Sequence, residues 1–238
     1  MNKILKLIGV SNTLPFDDKQ CNSSDELPPW MQDYFLWMIA FISLHLISYV
    51  LYYVFILYMN WEHDVKELKD HYSDLLYCLF LSIIMFFFGD YYFTFDYLTV
   101  VSSILGTLGF GFMGQLPFMK NSLDDWKKWT WKAWCVYMAA LALILTSGGY
   151  HIFLAVECNI TLGYLLAFCI PILGGVIAFI VTRFNNPSIT FHPHHWFIFY
   201  SISFFTRFPT VISKISAGIC IGIYIQALTT YIGGTAFF

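Results

Sequence analysis

The chain has 238 residues, of which 58% are hydrophobic, 21% aromatic and only 11% charged, with a formal net charge of −3. Soluble domains carry about 25% charged residues, so this composition excludes an ordinary soluble enzyme, a disordered chain and a basic nucleic-acid binder. It predicts an all-α integral membrane protein that has lipids as partners and no nucleic acid.

Residues 1–33 read as an N-terminal extramembrane segment, and residues 34–238 as a transmembrane helical bundle. The apolar runs before Trp30 are shorter than the core of a cleavable signal, about 7–15 residues, so the first span serves as its own insertion signal. A bilayer core needs roughly 20 apolar residues in a helix. Tyr34–Met59 meets that with no Asp, Glu, Lys or Arg, and His45 is its one imidazole. Further spans are expected over residues 75–92, 97–119, 129–147, 160–182 (carrying Pro171), 196–208 and 209–232. The segment 196–208 is short for a crossing. The count is therefore about seven, with six plus a half-helix as the alternative.

Lysine and arginine set the orientation. Lys66, Lys69, Lys120, Lys127, Lys128 and Arg183 fall on the face opposite the N-terminus, and so the N-terminus is placed on the non-cytosolic side. The sequons at Asn22 and Asn159 share the N-terminal face, each directly after a cysteine, Cys21 and Cys158. Glycans and disulfides form in such a compartment, which makes Cys21–Cys158 a candidate bridge and favours a secretory-pathway or plasma membrane. The mitochondrial inner membrane is the alternative.

Ionisable groups at membrane depth are costly, about 3 kcal/mol for a charge at the centre of a span, and so mark candidate sites. His192, His194 and His195 cluster around Pro193 where the chain re-enters the membrane. In the first loop, a helical reading of residues 60–74 puts His63, Glu67 and His71 on one face at i, i+4 and i+8. Imidazole binds Zn, Fe and Cu alike. His63, His71, His192, His194 and His195 are thus candidate metal ligands, with Zn or a di-iron centre as the metal. Glu67 and Asp70 are candidate catalytic carboxylates, and Asp74 is a further oxygen donor. Both clusters are expected at one membrane face. Near the other face, Arg207 should pair with a carboxylate, Asp90 first and Asp96 second.

The two clusters look like the cytosol-facing histidine boxes of membrane hydroxylases and desaturases, a resemblance that implies a di-iron centre acting on a lipid chain. The chain departs from that pattern, carrying one HPHH where those families carry HxxxH and HxxHH boxes. Three function classes follow: a metal-dependent membrane enzyme acting on a lipid, a non-catalytic accessory subunit held by other membrane subunits, and a proton, ion or small-solute transporter. Packing glycines, including the GxxxG match at Gly218 and Gly222, fit all three.

Overall fold

The computed structural model describes residues 34–89, 91–119, 127–185 and 195–231. Eight α-helices lie along these residues: α1 (Tyr34–Met59), α2 (Leu68–Phe88), α3 (Tyr91–Thr94), α4 (Tyr97–Gln115), α5 (Trp131–Glu157), α6 (Thr161–Asn185), α7 (His195–Ser203) and α8 (Val211–Thr230). No strand occurs among the described residues. Helices α1, α2, α4, α5 and α8 are long and apolar enough to cross a membrane, as a helical membrane protein requires. α7 has 9 residues, which at about 1.5 Å per residue is far too short to cross as a helix.

Several helix limits differ from the sequence reading, each for a local reason. α2 begins at Leu68, a full seven positions before the expected 75, because Glu67 and Asp70 form a capping box there. Each side chain accepts from the other's backbone N–H, which satisfies two donors that a helix start leaves open. Residues 61–67 are consequently not helical, and the expected stripe of His63, Glu67 and His71 on one helix face does not exist. α5 runs ten residues beyond 147, through Gly148 and Gly149, to Glu157. Pro171 sits inside a continuous α6. The short segment stops being helical at Ser203 instead of reaching 208.

α8 is the hub. It buries 67% of its apolar window, against 17–28% for the other four long helices. Its closest neighbour is α4, and the glycines explain the approach. A Cβ on Gly218 would sit 2.6 Å from Ser102 Cβ, and one on Gly222 would sit 2.6 Å from Thr107 N. Thr107 Oγ1 donates to the carbonyls of Ser103 (2.9 Å) and Gly222 (3.1 Å), linking the two backbones. Around α8, Phe41 and Tyr49 of α1, Met85 and Phe86 of α2, Tyr91 of α3, Tyr200 of α7 and Phe204 just after it complete one buried cluster.

Two ends of the bundle can be told apart. At one, the 61–67 segment meets the C-terminus of α8; at the other, Asp96 at the head of α4 meets Lys214 in the first turn of α8. α7 runs antiparallel to α8: near the Asp96 end, Tyr91 Oη donates to the carbonyl of Ser203, the last residue of α7, while Phe199 within α7 meets Phe110 in the far half of α4, ring centres 6.0 Å apart. His195, its first residue, therefore lies toward the same end as residues 61–67.

Candidate functional site

The first connection starts at Asn60, whose φ of 52° is left-handed, a conformation Asn tolerates better than most residues. Residues 61–67 then run back across the end of α8. Asp64 N–H donates to Thr230 O at 2.9 Å, and Lys66 Nζ donates to Leu228 O at 2.7 Å. These are two of the four carbonyls that a helix C-terminus leaves open, and the partial negative charge there favours an ammonium.

Lys66 also reaches Asp74 Oδ2 at 2.6 Å, with side-chain exposures of 0% and 1% for the two residues. The ammonium lies 5.6 Å from the centre of the Tyr49 ring. Burial pulls Lys66 below the ordinary lysine range, and Asp74 opposes that shift. Tyr49 Oη donates to the same Asp74 oxygen at 3.0 Å. Its other neighbour is His71 Nδ1, also at 3.0 Å. Because the single hydroxyl proton is used on Asp74, the network assigns the proton between Tyr49 and His71 to the ring, with Nδ1–H donating. In neutral His71 the Nε2 lone pair is then bare.

His63 reaches the same state by another route. Its Nδ1 lies 2.7 Å from Trp61 O, and a carbonyl only accepts, so neutral His63 also presents a bare Nε2. The Tyr53 ring joins the two histidines, edge-on to each, at 4.4 Å from His71 and 6.2 Å from His63. His63 and His71 thus meet across a tyrosine and not through helical spacing. Between α1 and α2, an apolar groove of about 560 Å³ is lined by Ile47, Val50, Leu51, Tyr72 and Leu76, among others.

The other expected site residues fall as follows. Glu67 and Asp70 close the α2 capping box, and Glu67 lies 2.9 Å from Lys69 on the surface. Asp74 is a partner of Lys66 and Tyr49. His192 and His194 lie outside the described residues, as does the side chain of His195. Among the described residues no group of three or more His, Cys, Asp or Glu is arranged to hold a metal ion. Asp90 lies outside the described residues, so its pairing with Arg207 does too. Asp96 is engaged elsewhere: Oδ1 caps α4 by accepting from Leu98 N at 2.8 Å, and Oδ2 takes Lys214 Nζ at 2.7 Å.

No protein family, curated protein or solved structure matches this chain. Its chemistry must be read from its own residues.

Two further imidazoles lie within the helices. His45 of α1 is fully buried; Nδ1 faces Phe41 O at 2.8 Å and Nε2 has no hydrogen-bond partner. His151 of α5 is satisfied at both nitrogens, Nδ1 on Ser147 O at 2.6 Å and Nε2 accepting from Ser213 Oγ at 2.7 Å. Lys66 and Tyr49 were not singled out by the sequence reading. The readable signal was the stripe Phe41, His45, Tyr49 at i, i+4 and i+8, which puts two polar groups on one buried face of an otherwise apolar span.

Proposed function

We propose that the chain is a metal-dependent membrane enzyme acting on a lipid, with its site at the His63–His71 end of the bundle. The observation that carries this is the pair of imidazoles flanking Tyr53, both held through Nδ1–H and both presenting Nε2. Metal-binding histidines characteristically donate their other ring N–H to a carboxylate or carbonyl, which fixes the tautomer. Here Trp61 O does this for His63, and Tyr49, backed by Asp74 and Lys66, does it for His71. Two imidazoles make half of a tetrahedral zinc site or part of a di-iron site. His192, His194 and His195 are proposed as the remaining ligands, and the start of α7 at that end supports this. A bound metal would supply Lewis acidity toward a substrate oxygen or an activated water. Glu67 and Asp70 at the head of α2 are proposed as nearby carboxylate bases, and the α1–α2 groove as the place for an apolar chain.

Metal analysis of the purified protein tests the proposal. About one equivalent of Zn or two of Fe is expected, with His71→Ala, His63→Ala and His194→Ala each losing it. A metal-free wild type would end the enzyme reading. A transporter is the second reading, favoured by His45, whose bare Nε2 in the middle of a span suits a proton path.

We further infer seven crossings with the N-terminus outside, the sixth made by α7 together with the non-helical residues 204–210. The antiparallel packing of α7 on α8 supports this. A Cys21–Cys158 disulfide is part of the same proposal. Cys78, Cys135, Cys169 and Cys220 are free thiols, which leaves Cys158 outside that set. Asn159 of the second sequon is exposed at the α5–α6 turn. Glycan shifts on Asn22→Gln and Asn159→Gln variants, with thiol labelling under reducing and non-reducing conditions, test the orientation.

A further inference from the structure

A connection that faces water exposes its charges and turns its apolar side chains inward, and a lysine is almost never fully buried without a partner. The first connection has the reverse polarity. Lys66 points inward onto Asp74 and the Leu228 carbonyl. Val65, its neighbour, is 84% exposed, and Leu68 at the head of α2 is 86% exposed. Of the exposed charges around them, Glu67 and Lys69 are paired with each other at 2.9 Å. The backbone is turned inward as well. Trp61 N–H donates to Ile56 O at 3.0 Å and Asp64 N–H to Thr230 O at 2.9 Å. Non-helical backbone is tolerated at membrane depth only where the protein itself satisfies it.

Helix lengths give the depth of this surface. α1 has 26 residues, which at 1.5 Å per residue is about 39 Å, and it carries no Asp, Glu, Lys or Arg. A hydrocarbon core is about 30 Å thick, so a centred α1 overhangs it by about 5 Å at each end. The connection does not start from that outer limit. Tyr53 of α1 meets His71 in the first turn of α2, ring centres 4.4 Å apart, and α1 runs on from Tyr53 to Met59, about 9 Å farther. His71 is therefore level with a part of α1 just inside the hydrocarbon boundary, and Leu68, one turn earlier, is at the boundary. Tyr58 and Tyr72 are exposed at the same end, where amphipathic rings suit the border between hydrocarbon and headgroups.

We propose that the first connection lies in the interfacial layer of a phospholipid bilayer, with Val65 and Leu68 in contact with the outermost acyl carbons. The apolar surface of α1 continues across these two side chains, while Glu62 and Asp64 meet the headgroups. His63 and His71 then sit at the depth of a lipid's polar end. The proposal rests on the chain crossing a membrane, and it holds with or without a metal.

Spin labelling of the full chain in phosphatidylcholine nanodiscs tests it. Nitroxides are placed at Val65→Cys, Leu68→Cys and, as a reference on the flank of α1, Leu51→Cys; the unsubstituted chain, labelled alike, gives the background of its own thiols. Collisions with oxygen, which concentrates in lipid, are compared with collisions with a water-soluble nickel chelate. Oxygen should exceed nickel severalfold at Val65→Cys and Leu68→Cys, as at Leu51→Cys. Nickel excess at 65 or 68 beside oxygen excess at 51 puts the connection in water and overturns the proposal. Exclusion of both reagents at 65 and 68 means that protein covers the surface, which overturns it as well. Nickel excess at all three positions removes the membrane reading itself. Leu68→Cys decides alone should Val65→Cys fold poorly.

Discussion

The Nζ of Lys66 lies 2.6 Å from Oδ2 of Asp74, and neither side chain retains contact with solvent. This pair joins the first connection to α2 and, through Leu228 O, to α8. Removing one partner of a buried pair leaves an uncompensated charge, which costs about 3–5 kcal/mol, whereas replacing both with apolar groups is often neutral. Lys66→Met and Asp74→Leu should each lower stability by that amount in denaturant or thermal unfolding. The double variant should recover most of the loss, and strictly additive losses would show that the residues are uncoupled.

The same pair predicts a pH slope. Burial lowers the Lys66 pKa in the folded chain, so between that value and the ordinary one the unfolded chain binds more protons. Stability contributed by this group therefore rises with pH across that alkaline window. Unfolding followed through the alkaline range should show this component in the wild type, and Lys66→Met should lack it.

Gly222 faces the α4 backbone so closely that a methyl group has no room. Alanine favours a helix over glycine by about 1 kcal/mol, so a freely exposed site would be stabilised by the change. Gly222→Ala should instead destabilise, and Gly222→Leu should prevent stable assembly. Gly148→Ala, at a glycine with nothing within 4 Å, is the control and should be neutral or mildly stabilising. Thermal unfolding of the three variants reads the contrast.

Tyr49→Phe removes the hydroxyl between His71 and Asp74. If His71 holds a metal through Nε2, the loss of its orienting partner should weaken metal affinity about 10–100-fold. Competition with a chelator measures this. Unchanged affinity in Tyr49→Phe, alongside lost metal in His71→Ala, would show that Tyr49 does not position the ring.

At the opposite end, Asp96 and Lys214 are 18% and 20% exposed, and such a pair contributes about 1 kcal/mol or less. Asp96 also caps α4, a role worth about 1 kcal/mol by itself. Lys214→Met should therefore cost clearly less than Asp96→Ala, and Asp96→Asn, which keeps the cap, should fall close to Lys214→Met. Denaturant midpoints distinguish the three.

The long helices were legible in the sequence because Tyr34–Met59 and its counterparts carry unbroken apolar runs, and runs of that length have few alternatives. Their ends were not. The start of α2 is set by the exchange of hydrogen bonds between Glu67 and Asp70, two residues that read equally well as catalytic carboxylates. The site was legible as residue types and not as pairs. Lys66 reads in sequence as one of the cations that set the orientation, but its acceptors are Asp74 and Leu228, the second far along the chain. Tyr49 reads as one more aromatic in a span and gains its role only when α2 brings His71 and Asp74 alongside.

The bond from Lys66 to the Leu228 carbonyl joins positions 162 apart, and synthesis proceeds from the N-terminus. The first helical hairpin is thus made long before its last acceptor exists. Through that interval the ammonium has Asp74 alone, and the backbone N–H of Asp64 waits for Thr230. A nascent chain cut off within α8 keeps every charged residue of the first connection but cannot close it, which leaves an under-satisfied cation at the membrane boundary. Arrival of α8 is in this way registered at the first connection.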